Sequence, residues 1–266
     1  MILISILIFI LGAIIGSFIN VVVLRHSTGR GLDGRSFCFL CRHKLSFFDL
    51  IPIFSFLFLG GKCKYCNSRI SWQYLLVEIL AGGIFLLIFN FQFSIFNDFL
   101  NPVFIINTLI YWVIFSLLLA ISVYDFHHKI IPNTFVYPFI ILVFLSNFIF
   151  PFENLKLKIV NLILSGLIVA LPIFLVWFFS RGRGMGFGDV KLALGIGFLF
   201  SLYGALSALI LSFFIGLIVS IFLLLFKRGK FTIKSEIPFG PFLAIACFVV
   251  FFFNLDLFSF FSLFIQ

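Results

Sequence analysis

Two of the nine carboxylates in this 266-residue chain stand where carboxylate chemistry would be useful. Asp125 closes an apolar run in Ser122-Val123-Tyr124-Asp125-Phe126-His127-His128-Lys129-Ile130-Ile131-Pro132-Asn133. Asp189 opens another in Gly184-Met185-Gly186-Phe187-Gly188-Asp189-Val190-Lys191-Leu192. Two carboxylates brought to one depth cannot both ionise, because the second charge is repelled, so they share a proton and give one base and one acid. Such a pair would take a proton from water as the water attacks a peptide carbonyl, and would protonate the carbonyl oxygen. Titration belongs to the pair, so neither residue is assigned either role. The glycines before Asp189 permit the close backbone approach an extended substrate needs. Read singly, each aspartate also fits a solvated helix end, and Asp189 near a helix start suits the helix dipole.

Four of the five cysteines form a second constellation. Cys38-x-x-Cys41 and Cys63-x-x-Cys66 are separated by 21 residues. Each pair closes on one ion through a tight turn, and four thiolates complete a tetrahedral shell for zinc. Such a shell has no open position, so the expected role of Zn2+ is structural. A pair of disulfides or a redox pair is the alternative, and it would gain if the loop lay outside the cell. His26 and His43 lie nearby and are left out of the ligand set. Cys247, inside the last apolar run, reads as a buried, inert thiol.

Glu78 sits early in an apolar run, where a carboxylate is costly and usually functional. Direct catalysis, pairing with a loop arginine, meeting a basic substrate segment and holding the loop are its competing readings. Lys129 and Lys191, close to the aspartates, would favour an ionised carboxylate, or would snorkel to the interface. The other carboxylates fall in loops or near the C-terminus: Asp33 and Asp49 in the cysteine segment, Asp98, Glu153, Glu236 and Asp256 elsewhere.

The elements that must carry these residues are membrane helices. The chain is 63% apolar and 10% charged, where a soluble domain carries about 25% charged residues. A first run covers 2–24, and further runs lie near 73–93, 103–124, 131–150 and 157–179. From Leu192 to Phe226 there are 35 residues without charge, more than the roughly 20 one crossing needs. Two spans are expected there, turning at Ser201-Leu202-Tyr203-Gly204. A final run covers 239–263. The fold expected is an all-α polytopic membrane protein of about eight transmembrane helices, with a zinc-binding cytoplasmic loop between the first two. The segments are a first helix at 1–24, the cysteine loop at 25–71 and a seven-helix domain at 72–266 that holds both aspartates.

Charge sets the orientation. The loops at 25–71, 125–130, 180–191 and 227–236 hold 16 of the 18 Lys and Arg residues, and such loops stay on the cytoplasmic side. Lys156 and Lys158 fall outside them. The N-terminus is then external, and without a basic segment before its apolar core it reads as a retained helix. The net charge of +9 sets topology and provides no extended nucleic-acid face.

Further blocks accompany these residues. They are Gly16-Ser17-Phe18-Ile19-Asn20-Val21-Val22 followed by Arg25, then Gly60-Gly61-Lys62-Cys63 with Ile70-Ser71 and Val77-Glu78. Asp125 with Ile131-Pro132-Asn133 is the third, Gly184 to Leu192 the fourth, and Pro238-Phe239-Gly240-Pro241-Phe242 the fifth. In this order, over nearly the whole chain, the sequence resembles the type IV prepilin peptidases of the GxGD group of intramembrane aspartyl proteases. The resemblance implies cleavage of the short basic leader of prepilins and pseudopilins after a glycine, at the cytoplasmic face of the bacterial inner membrane. Asp125 and Asp189 would be catalytic. It also implies N-methylation of the new N-terminus with S-adenosylmethionine, an activity tied to the cysteine loop; the alternative is a protease alone. Phe39 follows Cys38 where the family usually has proline, and Trp72-Gln73-Tyr74 replaces its usual arginine and proline. Both departures lie in or beside the region tied to methylation. No glycine-rich nucleotide fingerprint follows a strand. A proton-relaying transporter would carry its ionisable residues near the midplane and repeat its spans, and neither is evident. A scaffold built around zinc would leave the glycines flanking Asp189 without a purpose.

Overall fold

The structure, a computed structural model, describes residues 2–28, 31, 34, 36–98, 101–149, 155–226 and 237–255. Among them the helices are α1 (Ile2–Ser27), α2 (Phe54–Phe58), α3 (Trp72–Phe96), α4 (Pro102–His128), α5 (Asn133–Ser146), α6 (Leu155–Phe179), α7 (Phe187–Leu199), α8 (Leu202–Phe226) and α9 (Gly240–Phe253). The basic loop Lys227–Lys234, the carboxylates Asp33, Glu153, Glu236 and Asp256, and the end of the last apolar run up to 263 lie outside the described residues.

Each apolar run of the sequence is a helix. Five of them, α1, α3, α4, α6 and α8, are long and apolar enough to cross a membrane, and the chain is an integral membrane protein. The helices α5, α7 and α9 have 14, 13 and 14 residues. That is a rise of about 20 Å, against a hydrocarbon layer of about 30 Å. The uncharged stretch 192–226 is indeed two helices. Their break lies at Phe200, which is extended at φ −115° and ψ 165°. The expected turn residues Leu202–Gly204 are already helical, because the Ser201 carbonyl accepts the Ala205 N–H at 2.9 Å.

The chain divides into two compact units, Met1–Ala120 and Ile121–Gln266. In the first, α1 lies against α3 at Gly12 and Gly16. A Cβ at Gly12 would stand 2.7 Å from the Ala81 carbonyl oxygen, and one at Gly16 would stand 2.8 Å from the Glu78 Cα. Lipid offers apolar side chains as good a home as another helix does, so contact here depends on close fit and interhelical hydrogen bonds. Trp112 of α4 supplies both: its ring stacks on Phe85 at 4.7 Å and its Nε1–H donates to the Phe85 carbonyl at 3.0 Å.

In the second unit α5 and α7 run parallel and are joined at both ends. Lys191 Nζ donates to Asn133 Oδ1 at 2.8 Å, and Asn147 Nδ2 donates to the Phe198 carbonyl at 2.9 Å. Helix α6 backs α7 where Gly197 meets Gly166. A Cβ at Gly197 would fall 2.5 Å from the Gly166 Cα, and Ser165 Oγ donates to the Gly197 carbonyl at 2.6 Å. Lys158, one of the two basic residues the topology left over, donates to the Asn147 carbonyl just past α5 at 2.6 Å, a position that favours a cation.

Candidate active site and cysteine cluster

Asp125 lies in the last turn of α4. The helix stops just beyond it because Lys129 adopts φ +54° while its N–H reaches the Asp125 carbonyl at 2.7 Å. Asp189 is the third residue of α7, which starts after Gly186. The Gly186 N–H donates to Asp189 Oδ2 at 3.1 Å, and the Asp189 N–H returns to the Gly186 carbonyl at 3.2 Å. Both aspartates are buried, at 4% and 9% exposure, and they are close enough for their charges to interact.

The segments that follow each aspartate are interlocked. A Cβ at Gly188 would fall 2.7 Å from the Ile131 Cβ, so Ile131-Pro132-Asn133 rests on the backbone that carries Asp189. Three residues further on, Lys191 reaches Asn133. Its ammonium also lies 4.9 Å from the centre of the Tyr137 ring and 5.1 Å from that of Phe187. Lys191 is thus held by an amide and two rings, and its work is to join α7 to α5.

A third segment arrives from 115 residues away: the Gly240 N–H, at the start of α9, donates to Asp125 Oδ2 at 2.9 Å. The Pro238–Phe242 block is distinctive in sequence, yet sequence alone gave Gly240 no task. A Gly-Pro pair at the start of an apolar run is the signal that was available. Among the described residues, the hydrogen bonds to the two carboxyls fall on Oδ2 of each.

The four cysteines of the loop converge as their spacing predicts. Their sulfurs lie within 4.8 Å of one another, and those of Cys38 and Cys66 are 3.8 Å apart. Four sulfurs each about 2.3 Å from one zinc ion stand about 3.8 Å apart, so the donor set fits. The two halves share one design. The Cys38 N–H bonds to the His43 carbonyl and the Arg42 N–H to the Cys38 carbonyl, at 3.0 and 2.9 Å; the Cys63 N–H bonds to Ser68 and the Asn67 N–H to Cys63, at 2.8 and 2.9 Å. Arg42 and Asn67 supply the left-handed turn at φ 57° and 54°. The Cys41 N–H is the chief cause that lowers the Cys38 thiol to about 6. All five cysteines are free thiols. His43 packs its ring on Tyr65 at 3.7 Å, and Cys247 is fully buried in α9, so neither joins the cluster.

Glu78 is tied to the loop and to α1. Its Oε2 accepts the Ile53 N–H at 2.7 Å, and Ser17 of α1 adds a side-chain hydrogen bond. Ile53 has φ +65° and ψ −54°, and the Phe54 N–H turns back to the Pro52 carbonyl at 2.6 Å. This is a γ-turn of the rarer, strained hand. Of the four readings for Glu78, its contacts match holding the loop.

Comparison with known proteins places these features in a family. Residues 10–92 match the bacterial peptidase A24 N-terminal domain, and residues 112–221 match the type IV leader peptidase family. The chain is 30% identical over 256 residues to a prepilin leader peptidase/N-methyltransferase of Vibrio cholerae, covering 91% of this chain and 94% of that protein. It is 29% identical to the protein of that name from Bacillus subtilis, covering 96% of both chains. With the one from Pseudomonas aeruginosa it shares 28% identity, over 89% of this chain and 86% of the other. No solved structure matches the chain.

Proposed function

Because the chain belongs to the type IV leader peptidase family, we propose that it is a membrane aspartyl endopeptidase. It removes the leader of type IV prepilins and pseudopilins at the cytoplasmic face of the bacterial inner membrane, with its N-terminus outside. Asp125 and Asp189 are the catalytic pair. The observation that carries this reading is their common setting: two buried carboxyls from α4 and α7, each with Oδ2 tied to a backbone N–H.

In the reaction one proton resides on the pair. A water between the two carboxyls gives a proton to the ionised member as its oxygen attacks the carbonyl carbon of the leader's final glycine. The protonated member gives its proton to the carbonyl oxygen. Collapse of the tetrahedral species breaks the C–N bond: the first carboxyl gives its proton to the leaving amine while the second takes back a hydroxyl proton, so one proton again resides on the pair. Fixed backbone donors on Oδ2 keep both carboxyls aimed, and such positioning lowers the barrier without any reorganisation during the step. In this reading the functional segments are a first helix at 1–24, the cysteine loop at 25–71 and the peptidase domain at 72–266.

Zn2+ held by Cys38, Cys41, Cys63 and Cys66 has a structural role in this reading, since four thiolates fill its coordination shell. Methylation of the new N-terminus is the second activity, as the name of the relatives from Vibrio cholerae and Bacillus subtilis indicates. S-adenosylmethionine would supply the methyl group. The pocket lined by Ile2, Ser5, Ile6, Phe9 and Leu86 does not fit that donor, because it offers no charged group to a sulfonium or an amino acid.

Asp125→Asn and Asp189→Asn should each abolish leader removal from a purified prepilin, while the variant still inserts and unfolds at the wild-type temperature. Full processing by either variant ends the assignment.

A further inference from the structure

We propose that Gly240 is a positioning residue for Asp125: its backbone N–H holds one oxygen of the catalytic pair, and its missing side chain is what lets α9 come that close. The inference rests on reading Asp125 as half of the catalytic pair. Gly240 lies beyond both matched segments, 10–92 and 112–221.

The start of a helix normally leaves several N–H groups unpaired. In α9 they are accounted for one by one. Pro241 has no N–H to give. Those of Phe242 and Leu243 turn back to the Phe239 carbonyl at 3.0 and 3.1 Å. The Gly240 N–H goes to Asp125 Oδ2 at 2.9 Å. The Gly-Pro pair therefore delivers a single donor to a single carboxylate oxygen and leaves the other oxygen alone.

The absence of a side chain is equally specific. A Cβ at residue 240 would stand 2.7 Å from Asp125 Oδ2, 3.3 Å from Cγ and 3.4 Å from Cβ. Gly240 is not among the residues with positive φ, so its backbone conformation does not require glycine. The close approach to Asp125 does. An added methyl group would meet the carboxyl before any other group, and a short buried side chain can yield only by leaving its place in the pair.

The test uses the full-length protein in liposomes and a prepilin with its leader. Two replacements separate the donor from the space. Glycolic acid at position 240, an ester in place of the amide, removes the N–H and adds no atom. Gly240→Ala keeps the N–H and adds the methyl group. Since displacement of a reacting group by about 1 Å costs on the order of 100-fold, Gly240→Ala should lower kcat about 100-fold with KM within about twofold. The ester should lower kcat about 10-fold or more with the same KM. Gly216→Ala, whose Cβ would press on Phe242 of α9 at 3.1 Å, tests helix packing alone and should keep kcat. A structural cap would show instead as lower thermal stability with kcat intact. If Gly240→Ala fails to insert, the ester decides. Wild-type kcat in the ester form, with Asp125→Asn inactive, overturns the role of Gly240 alone. Normal cleavage by Asp125→Asn overturns the catalytic pair itself.

Discussion

Lys191 and Asn133, 58 positions apart, meet in a hydrogen bond of 2.8 Å. It joins the segment that follows Asp125 to the helix that carries Asp189. Beside it Ile131 packs on Gly188, where no side chain stands between them. The two aspartate motifs are therefore one folded patch, and their separation is set by contacts that are not themselves acidic.

Lys191→Met and Asn133→Ala should each slow leader cleavage about tenfold, since one hydrogen bond to a charged group is worth about 1.5–3 kcal/mol. The double variant should be no slower than the worse single one, because both remove the same link. Cleavage rates of the four proteins in this cycle check it; losses that simply multiply would count against the link.

Glu78 should act on the loop rather than on the peptide bond. Its carboxylate holds the Ile53 N–H in a turn that a β-branched residue resists. Glu78→Ala should open the segment around 50–60 to limited proteolysis. Adding Ile53→Gly should restore resistance, because glycine adopts positive φ without cost. Equal digestion of the single and double variants would show that turn strain is not what Glu78 opposes.

Asp49 predicts a dependence on pH. Its Oδ2 accepts the Ser46 N–H at 2.9 Å and the Ser46 hydroxyl at 2.8 Å. These bonds, the backbone one first, hold its carboxyl below the usual range, with Lys64 and the Tyr65 hydroxyl assisting. A carboxyl lowered in the fold contributes stability that is present above its unfolded value, about 3.9, and lost as pH falls through the lowered one. At pH 7 the Ser46 amide should therefore exchange hydrogen more slowly in the wild type than in Asp49→Asn. The two should converge below the lowered value, and a gap that persists in strong acid would refute this.

Zinc should be found at one ion per chain in purified protein. Cys63→Ser should lose it, because three thiolates leave the shell open, while Cys247→Ser should keep it. Metal analysis of the three preparations decides, and an intact protein without zinc removes the structural site.

Much of this was readable from local pattern. Apolar runs longer than a bilayer is thick read as helices, and the position of Lys227 and its neighbours required two helices between Leu192 and Phe226. The paired Cys-x-x-Cys spacing announced the cluster, because each half is a local turn closed by its own backbone hydrogen bonds. Glu78 was legible as unusual but not as a partner of Ile53, since nothing near Ile53 in the sequence marks a residue about to adopt φ +65°.

By itself the sequence determined the helices, the metal-ready cysteines and the two aspartates at helix ends, because composition and short spacing act within a few residues. Only the tertiary structure decided that Gly240 serves Asp125, that Lys191 serves Asn133, and that α5 and α7 lie parallel as a matched pair. Those contacts join positions between 51 and 115 residues apart. A backbone N–H carries no side-chain mark of what it will bind, so its partner emerges only when the helices pack.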